Sequence, residues 1–101
     1  MKSIRVKEFD KQKDNYILLD IREPEEILIA KIDPHVHIPM MEIPQRHQEL
    51  DKEQSIVVLC HMGIRSEQVC QYLEQLGYDI TTLVGGIDAW SVHVDLDLPR
   101  Y

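Results

Sequence analysis

Ser55-Ile56-Val57-Val58-Leu59-Cys60-His61-Met62-Gly63-Ile64-Arg65-Ser66 sets an apolar run directly against a cysteine, a short loop with one glycine, an arginine and a hydroxyl. The β-branched run from Ser55 to Leu59 reads as a strand buried on both faces, the pattern of a parallel sheet. Glu67 to Leu76 reads as a helix closed by Gly77, with Ser66 placed to cap its start. Cys60 then stands at the carboxyl end of a buried strand, where open α/β sheets place their ligands. That position predicts an exposed thiol acting as a nucleophile rather than a core cysteine.

Outward from this stretch the chain alternates strand and helix. Ser3 to Val6 is a short strand, Lys7 to about Lys13 a charged helix, and Tyr16 to Asp20 a strong apolar strand. Pro24 suits a first helical position, and Glu25 and Glu26 suit a helix amino end. Val36 to Ile38 is a short strand before Pro39. Met41 to Leu50 can be helical only from about Ile43, because Pro44 confines its start. Tyr78 to Val84 is strand-like, and Gly85-Gly86 breaks the chain before a short segment from Ile87 to Trp90. Asp95 to Tyr101 carries no clear signal. This alternation predicts an α/β fold: a single domain over residues 1–101, with about five mostly parallel strands and helices on both faces.

The 101 residues are 44% hydrophobic and 29% charged, enough for one globular core and against disorder. A net charge of −7 argues against nucleic acid as a partner, and any anion site must be built locally. No apolar run approaches a membrane span, and Met1 to Arg5 carries no signal segment, so a cytoplasmic location is expected. Cys60 and Cys70 fit neither a zinc spacing nor a disulfide framework and read as reduced thiols. His35, His37, His47 and His61 have no cysteine or carboxylate at ligand spacing, so no metal is expected. No organic cofactor is implied either. Cys70 shares helical spacing with Val69 and Leu73 and reads as core, with a resolving thiol for oxidised Cys60 as the alternative. Trp90 and Tyr72 read as core or rim aromatics.

The chemistry gathers at the loop. The thiolate is the reactive form of cysteine, and a nearby cation or helix amino end favours it. The amides from His61 to Ser66 can converge on the sulfur as a nest, with Gly63 supplying the left-handed backbone such a curl needs. Arg65 adds a permanent charge and a fork able to hold oxyanions, and His61 can add a partial charge. A histidine and acid arranged as a protease triad cannot be read from the sequence. Asp20 and Arg22 end the second strand. They either brace the loop or form an ordinary exposed ion pair worth little.

Three ordered motifs carry a resemblance. Leu18-Leu19-Asp20-Ile21-Arg22-Glu23-Pro24-Glu25-Glu26, Cys60-His61-Met62-Gly63-Ile64-Arg65-Ser66 and Leu83-Val84-Gly85-Gly86-Ile87-Asp88-Ala89-Trp90 resemble the early, active-site and late motifs of single-domain rhodaneses, a sulfurtransferase family. The resemblance implies a cysteine that takes sulfur from a donor such as thiosulfate as a persulfide. The sulfur then passes to a thiophilic acceptor, cyanide or a cellular thiol or protein. It implies Cys60 as nucleophile and His61, Met62, Gly63, Ile64, Arg65 and Ser66 as the substrate loop.

Cys60 and Arg65 bracket four residues, whereas the similar cysteine phosphatases and arsenate reductases carry one more. The tighter loop favours sulfur over a tetrahedral oxyanion. A persulfide carrier or regulatory binding module is the alternative from a different class. The chain departs from the family where many members have arginine directly after the cysteine and this one has His61. It departs again at Ala30-Lys31-Ile32 and Asp33-Pro34-His35-Val36, which replace the family's usual turn. The donor, the acceptor and the oligomeric state are not written in the sequence.

Overall fold

Five apolar runs pair into one sheet in the computed structural model, which describes residues 1–101. The strands are β1 (Lys2–Ile4), β2 (Ile17–Asp20), β3 (Val36–His37), β4 (Ser55–Leu59) and β5 (Asp79–Leu83), in the order β1-β5-β4-β2-β3. Every neighbouring pair is parallel. The helices are α1 (Val6–Gln12), α2 (Pro24–Ile29), α3 (Ile43–Arg46), α4 (Ile64–Gln75) and α5 (Gly86–His93).

The twofold alternation of a strand divides β4 between two cores. Ile56 and Val58 point to one core, with Ile43 of α3 and Val69, Cys70 and Leu73 of α4. Val57 and Leu59 point to the other, with Val6 and Phe9 of α1 and Ile87 and Trp90 of α5. Trp90 meets Phe9 edge to face at 5.9 Å, whereas Tyr72 lies at the rim, half-exposed. This central strand is buried on both sides, which is why its sequence runs apolar without a break. The register sets Asp20 beside Leu59 and beside His37, so the Asp20 and Arg22 turn emerges next to the cysteine.

Several expected boundaries move. The helix after the cysteine begins at Ile64 rather than beyond Ser66, because Gly63, at φ 99°, is its N-cap. Ser66 therefore lies inside the first turn and does not cap it. The Met41–Leu50 segment is only one α-turn at Ile43–Arg46 between 3₁₀ turns at Met40–Glu42 and His47–Glu49. The late segment runs longer than Ile87–Trp90, to His93. No helix is long and apolar enough to cross a membrane.

Candidate active site

Cys60 follows β4 directly, and its side chain turns into the fold: it is 1% exposed, not the open thiol its strand-end position predicted. The loop curls back over it. The amide of Gly63 donates to Cys60 Sγ at 3.1 Å and that of Ser66 at 3.3 Å. The curl needs Gly63 in the left-handed region, where a side chain is strained. Donors converging on a sulfur suit one that carries negative charge. The Ser66 hydroxyl faces inward, donating to the Gly63 carbonyl at 3.1 Å and meeting Thr82 Oγ1 of β5 at 2.7 Å. Its work is to pin the loop to the sheet. Met62 and Ile64 point to solvent.

From the other side, the start of α5 holds the loop backbone. The amides of Ile87 and Asp88 donate to the carbonyls of Cys60 and His61 at 3.0 and 3.1 Å. That approach leaves no room beside Gly86 (φ 62°): a Cβ there would stand 2.4 Å from the His61 oxygen and 2.5 Å from the Cys60 oxygen. Backbone atoms cannot swing aside, so Gly86→Ala must displace the loop. We expect about a hundredfold loss of activity and about 1–3 kcal/mol of stability, read by turnover and urea unfolding. Activity within twofold of the parent would show that the contact does not set the loop.

Arg65 does not hang free over the sulfur. Its fork is held by Glu26 of α2, Nη1 on Oε2 and Nη2 on Oε1, both at 2.8 Å. The Arg65 hydrogen bonds, opposed by partial burial, hold the Glu26 carboxyl down at about 2. Asp20 and Arg22 are both fully buried, with Arg22 Nη2 donating to Asp20 Oδ2 at 2.7 Å. Of the two readings left open for this pair, the exposed one falls: it is an interior pair. Arg22 also donates to the Ala30 carbonyl at 2.8 Å and to the Tyr101 hydroxyl at 2.9 Å.

Tyr101 joins these pieces. Its hydroxyl donates to Glu26 Oε1 at 2.9 Å, and its ring stacks on His61 with centroids 3.9 Å apart and planes 7° from parallel. His61 Nε2 is buried without a partner. Sequence reasoning missed Tyr101 altogether and saw Glu26 only as a helix-start residue. The capping box formed by Glu23 and Glu26 was the one local signal available.

The remaining candidates scatter. Cys70 packs in the core, where burial pushes its thiol up to about 12. His35, His37 and His47 contact the Ile32 carbonyl, the Arg22 carbonyl and the Tyr78 hydroxyl. The cleft of about 310 Å³ lined by Asp14, Tyr16, Ile17 and Ser55 lies at the amino ends of β2 and β4, away from the cysteine. Size alone would point to the wrong end of the sheet.

Comparison with known proteins identifies the family and the fold. The Rhodanese-like domain family matches residues 6–93. A sulfurtransferase of Allochromatium vinosum is 42% identical over 81 residues, covering 79% of this chain and 76% of that protein. The thiosulfate sulfurtransferase GlpE of Coxiella burnetii is 28% identical over 83 residues, 81% of this chain and 78% of its own. A rhodanese-related protein of Thermoplasma volcanium superposes with a TM-score of 0.89 at 29% identity, covering 98% and 96% of the two chains. With the family matched across most of its length and the cysteine loop held between β4 and α5, this chain belongs to the rhodanese-like sulfurtransferases.

Proposed function

We propose that Cys60 carries sulfane sulfur as a persulfide between a small donor and a thiol or protein acceptor. The convergence of the Gly63 and Ser66 amides on Cys60 Sγ carries this reading. In the first step the Cys60 thiolate attacks the outer sulfur of the donor. The donor's S–S bond breaks and its electron pair leaves with the inner fragment, which is sulfite when thiosulfate is the donor. In the second step the acceptor attacks the outer sulfur and the Cys60 thiolate departs. No net oxidation occurs, so no redox cofactor is required. This is covalent catalysis with loop amides facing the anion in both states. Both cysteines are free, as a reducing compartment such as the cytoplasm keeps them.

The test is intact-mass measurement after exposure to thiosulfate and to an organic persulfide. One added sulfur atom is expected on the parent and on Cys70→Ser, removed by cyanide with formation of thiocyanate. No adduct from either donor, together with hydrolysis of an aryl phosphate, would replace sulfur transfer with phosphatase chemistry.

A further inference from the structure

Glu26 is held at both oxygens by more than Arg65. Its Oε1 accepts from Arg65 Nη2 at 2.8 Å and from the Tyr101 hydroxyl at 2.9 Å. Its Oε2 accepts from Arg65 Nη1 at 2.8 Å and from the Glu23 amide at 2.9 Å. The direction of the Tyr101 bond is not free. Arg22 Nη1 lies 2.9 Å from the same hydroxyl, and a guanidinium can only donate. The phenol oxygen therefore accepts from Arg22, and its single hydrogen is left for Glu26. Arg22 is aimed in turn, with Nε and Nη2 on Asp20 and Nη2 also on the Ala30 carbonyl. One directed chain thus runs from buried Asp20 through Arg22, Tyr101 and Glu26 to Arg65. Its last member stands close enough to Cys60 for the two charges to interact.

Resting on the sulfurtransferase reading, we infer that Tyr101 is a positioning residue: its hydroxyl, aimed by Arg22, fixes the Glu26 carboxylate that holds Arg65 beside Cys60. A guanidinium has five N–H donors, and Glu26 takes two from Arg65. Arg65 is thus held still and yet keeps donors for an anionic group approaching the sulfur. A side chain fixed before the substrate arrives gives up no rotamer freedom during the reaction. The Tyr101 ring is stacked on His61 with centroids 3.9 Å apart, which anchors the phenol to the residue next to the nucleophile. Phenylalanine keeps that stack and deletes only the link to Glu26.

Loading of Cys60 is followed by intact mass on the parent, Tyr101→Phe, Glu26→Gln and the double variant, with thermal unfolding of each. The probes are thiosulfate and N-acetylcysteine persulfide, and rates are compared with whichever loads the parent faster. Tyr101→Phe is expected to load about tenfold more slowly, the factor for one hydrogen bond to a charged group. Its unfolding midpoint should stay within about 3 °C of the parent. In the Glu26→Gln background the same change should alter loading less than twofold, because its route to the sulfur is already cut. A residue serving the fold alone would slow loading by the same factor in both backgrounds, and that result overturns the inference. So does loading by Tyr101→Phe within twofold of the parent. Failure of Tyr101→Phe to fold overturns it too, since the hydroxyl would then be structural. A parent that loads from neither probe overturns the sulfurtransferase reading itself, which keeps the two failures apart.

Discussion

Cys60→Ser is expected to end sulfur loading while leaving the fold standing. The side chain is buried and its sulfur accepts two amides. An oxygen at the same place still accepts from Gly63 and Ser66, so the loop keeps its partners. The stability change should stay near 1 kcal/mol, the ordinary range for a near-isosteric substitution. Chemistry is another matter. A hydroxyl gives almost no anion at neutral pH and offers no sulfur with which to form the S–S bond of a persulfide. Cyanide-dependent turnover should fall about a thousandfold or more, as for loss of a nucleophile elsewhere. Cys70 cannot take over, since burial keeps it protonated. Residual loading above about a hundredth of the parent would remove Cys60 from the role given to it.

Arg22→Met should cost far more in stability than its distance from the sulfur suggests. The guanidinium is fully buried, and it neutralises Asp20 through Nε and Nη2. Methionine fills much of the same space but strands a carboxylate with no water to solvate it. The Ala30 carbonyl and the Tyr101 hydroxyl lose their donors as well. Breaking one side of a buried ion pair costs about 3–5 kcal/mol, a large part of what holds a small domain folded. The midpoint of thermal unfolding should drop by about 15 °C or more. Asp20→Leu combined with Arg22→Met should recover part of that loss, since no lone charge is then left inside. A single variant within 1 kcal/mol of the parent would mean that the interior accommodates the free carboxylate.

The sheet was legible because its determinants are local. Ser55 to Leu59 alternates between two cores and so must be apolar at every inward position, and no other element explains that run. The helix start was misjudged for a reason equally local. Ser66 has the side chain of a good cap, but Gly63 alone can adopt the conformation that turns the chain over the sulfur, so the helix begins three residues sooner. What escaped reading was long-range. Arg65 and Glu26 are 39 residues apart and Arg22 and Tyr101 are 79 apart, and no spacing rule joins them. The charge of Arg65 was plain in the sequence, but its being spent on Glu26 was not. Asp20 and Arg22 could not be told from an exposed pair because strand ends usually reach water, whereas here Tyr101 and the turn at Ala30 close over them.

The clasp between the cysteine loop and α5 also gives the site a clock. The amide hydrogens of Ile87 and Asp88 are shielded by the very carbonyls that shape the loop. They can exchange with solvent deuterons only when loop and helix part. The exchange rate of two backbone hydrogens on α5, which take no part in the chemistry, therefore measures how often the sulfur's cradle comes undone.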